Sequence, residues 1–166
     1  MLSKVAQAVK ISDLKNRILF MFGMFAVYVL GLHVPIPGID QEAMNRLVES
    51  GSALGLLDAF SGGAFRKFTI LAMGIMPYIN ASIIMSLLTM AVPQLEALQK
   101  EGETGRKQIA QYTRYLTLVL ALVQAAGVNA MLKANGILTA SFGGHIQILI
   151  VLVAGTAFLM WLGEMI

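Results

Sequence analysis

Apolar positions fill this chain in long unbroken runs, and the charged residues collect between them. Uncharged stretches cover residues 18–39, 68–95, 115–132 and 134–163. A bilayer-spanning helix needs about 20 mostly apolar residues. The first, second and fourth runs exceed that, and the third reaches it once its polar flanks sit among headgroups. The pattern predicts an all-α membrane protein with spans over 17–34, 68–92, 112–132 and 146–163. Ahead of them Leu2, Val5, Ala6 and Val9 recur at helical spacing, with Lys4 and Lys10 on the polar side. That spacing predicts a short amphipathic helix at the cytoplasmic face within residues 1–16.

Breakers organise the connections. Pro35 and Pro37 lack an N–H and restrict the residue before them, which stops the first span; Gly38 supplies a left-handed turn. The outer connection, 35–67, contains Ala53-Leu54-Gly55-Leu56-Leu57-Asp58-Ala59-Phe60, apolar but too short to span, and then Ser61-Gly62-Gly63. Such a segment is re-entrant or lies at the interface. If re-entrant, its glycine-rich backbone must face protein or a wet cavity, since lipid leaves polar groups unpaired.

Pro77 falls inside the second apolar run and predicts a kink there. Asn80, Ser82 and Ser86 follow, polar side chains that no lipid face requires. Ser82 and Ser86 share a stripe with Gly74, suited to close helix packing. Ile75, Ile79 and Ile83 form a neighbouring branched stripe, which spacing alone leaves as core or lipid face. The inner connection, 93–111, carries Glu96, Lys100, Glu101, Glu103, Arg106 and Lys107, with Gly102 and Gly105 to make it mobile or tightly turned. It reads as a solvated face or as a surface for a cytoplasmic partner. Tyr112 and Tyr115 sit where an aromatic belt would place them. Gln124 and Asn129 are polar groups of span three, and 133–145 is a second outer loop.

Composition and charge narrow the choice. Hydrophobic residues make up 57% and charged residues 13%, with mean hydropathy +0.75; a soluble domain carries roughly 25% charged residues. A cytoplasmic N-terminus places Lys4, Lys10, Lys15, Arg17, Lys100, Arg106, Lys107 and Arg114 inside. Only Arg46, Arg66, Lys67 and Lys133 fall outside, as the positive-inside bias requires. This placement accounts for the net charge of +3 without nucleic acid. No small-x-small cleavage site follows the first run, so it reads as a retained span. Without cysteine there are no disulfides or thiolate metal sites. His33 and His145 lack companions at metal-ligand spacing, Gly62-Gly63 leads into Ala64-Phe65 rather than a phosphate loop, and Ser82 and Ser86 have no base nearby. No catalytic, cofactor or metal site is expected. Channel or transporter stands against scaffold. The end at Ile166, two residues after Glu164, without a closing half, suggests a fragment of a longer chain.

Several long pieces carry a specific resemblance. They are His33-Val34-Pro35-Ile36-Pro37-Gly38-Ile39-Asp40, Gly55-Leu56-Leu57-Asp58-Ala59-Phe60-Ser61-Gly62-Gly63-Ala64, and Ala72-Met73-Gly74-Ile75-Met76-Pro77-Tyr78-Ile79-Asn80-Ala81-Ser82-Ile83-Ile84-Met85. Lys100-Glu101-Gly102-Glu103, Gln111-Tyr112-Thr113-Arg114-Tyr115-Leu116-Thr117 and Trp161-Leu162-Gly163-Glu164 continue the series in order. The chain resembles the N-terminal portion of the bacterial SecY family, channel subunits of the protein-translocation machinery. That resemblance implies the first four of ten spans, arranged in two pseudo-symmetric halves around an hourglass pore. It implies a re-entrant plug helix at about 53–64, formed by Leu54, Gly55, Leu56, Leu57, Asp58, Ala59, Phe60, Ser61, Gly62 and Gly63. It also makes Ile75 and Ile79 members of an apolar pore ring, and Pro77, Asn80, Ser82 and Ser86 gate or packing groups. The partners implied are the small subunits SecE and SecG, the SecA motor or ribosome, signal sequences, translocating polypeptide and lipid. The location implied is the bacterial inner membrane, with the N-terminus cytoplasmic. The alternatives are half of a secondary transporter with Pro77 at a small-solute site, or a membrane scaffold.

Overall fold

The computed structural model describes residues 12–138 and 142–165, so most of the amphipathic helix expected within 1–16 lies outside the described residues. The helices are α1 (Ser12–Gly31), α2 (Gln41–Ser50), α3 (Ser52–Phe60), α4 (Met76–Ala91), α5 (Pro93–Lys100), α6 (Glu103–Ala134) and α7 (Phe142–Met165). No strand forms among the described residues, only the isolated bridges Pro35–Thr69 and Ile39–Leu138. α1, α6 and α7 are long and apolar enough to cross a membrane. α4 has 16 residues, about 24 Å, which falls short of the ~30 Å hydrocarbon core.

Two expectations are corrected. The run expected to span from residue 68 is helical only from Met76, and Pro77 sits in the first turn of α4 rather than at a kink. There its fixed φ suits the helix and its missing N–H would be unpaired anyway. Residues 61–75 form turns instead, with Gly62, Gly63, Phe68 and Gly74 at positive φ. Most of their side chains are buried in protein: Phe68 and Thr69 are fully enclosed, and Leu71 and Ala72 nearly so, while Ile75 at the end is exposed. Their backbone is paired, with Ile36 N donating to Phe68 O, Thr69 N to Ala64 O and Ile70 N to Val34 O. Irregular backbone enclosed and paired in this way can sit at membrane depth.

The second correction concerns 93–111, which is helix, a tight turn, then helix. Pro93 opens α5, and Lys100–Glu96 and Lys107–Glu103 pair at 2.6 and 2.9 Å, one turn apart within their helices. Gly102, at φ 81°, makes the turn. Gly105 then lies against the Leu98 carbonyl, where a Cβ would have no room. The axes of α4 and α5 differ by 98°.

α6 packs on α4 and on α7. The buried row of α4 is Pro77, Ala81, Met85 and Thr89; that of α6 includes Thr113, Thr117, Ala121, Ala125 and Asn129. Small residues at four-residue steps let helix backbones approach. The threonine hydroxyls donate to their own helix: Thr117 to Thr113 O at 2.7 Å and Thr89 to Ser86 O at 2.8 Å. The core continues outward through Met44, Val48, Phe65, Phe68, Ile137, Ile148 and Leu152. α1 stays largely exposed, with Leu19, Phe22 and Leu30 more than half so.

Candidate functional site

The short helix α3 is held at its C-terminal end by a dense set of hydrogen bonds. Ser61 N donates to Leu57 O, Gly62 N to Ala59 O and Gly63 N to Asp58 O, at 3.0, 3.2 and 2.9 Å. The Ser61 hydroxyl donates to Asp58 O and accepts from Phe65 N. The Asp58 carboxylate accepts from Arg66 N at 2.7 Å and pairs with the Arg66 guanidinium at 3.5 Å. Arg66 also reaches Glu49, at 3.7 Å. Sequence reading missed this clamp. Its signal was a pair of opposite charges bracketing Ser61-Gly62-Gly63.

One side of α3 faces inward. Leu54 and Leu57 line a cavity of about 270 Å³ with Phe65, Ala72, Met73, Met76, Asn80, Gln124, Gly127, Val128 and Met131. Asn80 and Gln124 are the two side-chain amides in an otherwise apolar lining. On the other side, Leu56, Ala59 and Phe60 are exposed; Gly55 and Asp58 are half-buried. The end of α3 abuts the residue just before Ile75, since a Cβ on Gly74 would meet Ser61 Cα at 3.5 Å and Phe60 O at 4.0 Å.

Ile75 caps α4, and Ile79 N donates to Ile75 O at 3.0 Å, so the two stand one turn apart on one side of the helix. They are 48% and 36% exposed, and Ile83 continues the stripe at 55%. The stripe is therefore not core of the described residues. Pro77 is buried in the row facing α6. Ser82 and Ser86 are not on that packing row: Ser82 is half-buried, and Ser86 is exposed and donates to Ser82 O at 2.8 Å. Because α4 starts after Gly74, the expected Gly74–Ser82–Ser86 stripe is not continuous helix. Two tertiary pairs were not foreseen, Arg114 with Glu164 and Asn129 with His145.

The family model for SecY matches residues 69–166, from the middle of the buried turns through α7. The chain belongs to the SecY family. It is 43% identical over 181 aligned residues to the protein translocase subunit SecY of Streptomyces scabiei, covering 100% of this chain and 41% of that protein. With the protein translocase subunit SecY of Pseudomonas aeruginosa the identity is 48% over 159 residues, 94% of this chain and 36% of the relative. For that of Bacillus licheniformis it is 44% over 171 residues, 100% and 39%. The chain thus spans about two-fifths of the length of these SecY relatives. The SecY match holds Ile75, Pro77, Ile79, Asn80, Ser82 and Ser86, whereas α3 precedes it and is covered by the full-chain relatives.

Proposed function

We propose that this chain forms the first part of the central subunit of a protein-conducting channel. Such a channel passes unfolded secretory polypeptides across the membrane and releases membrane-protein helices sideways into lipid. The observation that carries the reading is the contact of the end of α3 with Gly74, directly before the exposed Ile75. A short helix ending at a stripe of exposed isoleucines suits a plug resting beside an apolar neck. In this reading α3 and the turn after it, Leu54 to Gly63, are the plug, and Ile75 and Ile79 belong to the ring. An apolar ring excludes water, and with it ions, yet yields to an extended polypeptide without binding it tightly. Pro77 packs the wall, and Asn80, Ser82 and Ser86 lie beside the route by which a helix leaves for lipid.

The relatives' names as translocase subunits favour this over a solute transporter or a scaffold. In this reading the remaining wall, and most of the contact with the SecA motor or ribosome, belong to the rest of a full-length protein, and SecE and SecG are its small membrane partners. No catalytic step is assigned to any residue here. The orientation that fits the charge distribution is N-terminus inside, in the bacterial inner membrane.

The test uses the full-length protein assembled with its partners and carrying a photoreactive residue at Ile79. A secretory polypeptide stalled in transit is expected to cross-link there. Continued translocation with no adduct at Ile79 sinks the assignment of this stripe to the polypeptide path.

A further inference from the structure

At the end of the bundle where α6 leads into α7, a cavity of about 270 Å³ is lined by Ala126, Asn129, Ala130, Lys133, His145 and Leu149. It is separate from the cavity beside α3. Its polar part is built from two elements locked together. Asn129 Nδ2 donates to the His145 backbone carbonyl at 3.0 Å, and Asn129 Oδ1 lies 2.8 Å from His145 Nδ1. A carbonyl only accepts, so the first bond fixes which end of the amide is nitrogen. Oδ1 therefore faces the ring, and Nδ1 is the nitrogen that carries hydrogen. In the neutral ring Nε2 is left as a bare acceptor, and among the described residues it has no partner. Asn129 is itself 6% exposed, so this orientation is held by buried structure.

Lys133 stands one turn beyond Asn129 on α6, exposed and without an ion pair among the described residues. No carboxylate lines the cavity. Ala126 and Ala130 are small and exposed, and with Leu149 they extend the site as an apolar trough along two helices of spanning length. Lys133 is near the end of such a helix, one residue before Ala134, at headgroup level.

We infer that this cavity binds a phospholipid whose headgroup carries a hydrogen-bond donor. Lys133 takes the phosphate, His145 Nε2 accepts from an ethanolamine ammonium or a glycerol hydroxyl, and an acyl chain lies along Ala126, Ala130 and Leu149. A choline headgroup offers Nε2 no donor. The inference rests on the membrane reading and not on the polypeptide-channel proposal, so either can fail alone.

The test places the full-length protein in phosphatidylcholine nanodiscs with a trace of phosphatidylethanolamine bearing a photoreactive acyl chain, and maps the adducts. Adducts are expected on α6 from Ala126 and on α7 as far as Leu149, and Lys133→Ala should lower them by up to about fivefold, the upper end for an exposed ion pair. Lys133→Arg should retain them. Unlabelled phosphatidylethanolamine and phosphatidylglycerol should compete and added phosphatidylcholine should not; His145→Phe should erase that preference. Adducts unchanged by Lys133→Ala, as for a lysine that merely reaches water, overturn the site. Displacement by millimolar inorganic phosphate overturns the lipid assignment in favour of a free anion. Equal competition by phosphatidylcholine overturns the role of Nε2. If His145→Phe fails to fold, Lys133→Ala and the competitors decide the matter.

Discussion

Gly155 of α7 rests directly on the backbone carbonyl of Ile70, leaving no space for a Cβ. The contact presses a spanning helix onto the buried turns that lead into α4. Gly155→Ala must push backbone from backbone, and overpacking of this kind costs about 1–3 kcal/mol. A lowered melting temperature in detergent is the expected result. Gly127 of α6 is the control, since nothing lies within 4 Å of where its Cβ would be. Gly127→Ala should be neutral or stabilising by up to about 1 kcal/mol, because glycine weakens a helix interior. Equal melting shifts for the two variants would contradict the close approach.

Pro77 opens α4 instead of bending it, and the two positions make different predictions. Pro77→Ala should change stability by no more than about 1 kcal/mol, a little packing lost and no helical hydrogen bond regained. Ser82→Pro, two turns into the helix, should cost about 3 kcal/mol or more. Melting of the two variants beside the parent checks both; strong stabilisation by Pro77→Ala would mean that a strained interior proline had been relieved.

How much of this was legible depends on what the residues answer to. α1, α6 and α7 announce themselves because lipid demands only length and apolarity. The C-terminal bound of α3 follows from Ser61-Gly62-Gly63. Residues 68–75 mislead because Phe68, Leu71 and Ala72 are apolar for burial in protein, and hydropathy cannot separate a buried turn from a spanning helix. Around Lys100 and Lys107 the charges suggest a loop, although the same residues support helix by pairing one turn back. The Asn129–His145 pair joins two spans and leaves no local signature in either. Arg114 and Glu164, fifty residues apart, are equally silent. Ile75 and Ile79 were legible as a stripe from spacing, but their exposure becomes visible only once α4 has chosen its packing face.

The turn after α3 depends on one carboxylate. Asp58 accepts the backbone N–H of Arg66 and pairs with its guanidinium, and its side chain is only 15% exposed. Asp58→Ala removes an acceptor from that N–H and the nearer partner of Arg66, a loss of about 1–3 kcal/mol for a charge-assisted bond. The effect should be local. Hydrogen exchange at the amides of Gly63 to Arg66 should quicken while the amides of α6 and α7 keep their protection. Uniform loss across all helices would show that Asp58 supports the whole fold, and no change would show that the clamp contributes nothing.

The remaining prediction rests on the proposed channel and is made for the full-length protein assembled with its partners. Ile75 and Ile79 lie off the row by which α4 packs on α6, so replacing both with serine removes little packing among the described residues. Their effect should fall on water instead. A neck lined by branched apolar side chains dewets, while hydroxyls there hold a water column and let ions pass. Resting conductance in planar bilayers should therefore rise on the order of tenfold for the double variant. Ile83→Ser tests position against composition, because it places the same change on the same stripe, one turn further along α4 and away from the end of α3. It should leak less than the double variant. Equal leak from all three sites would mean that the stripe is wetted as a whole, and unchanged leak from the double variant would remove Ile75 and Ile79 from the neck.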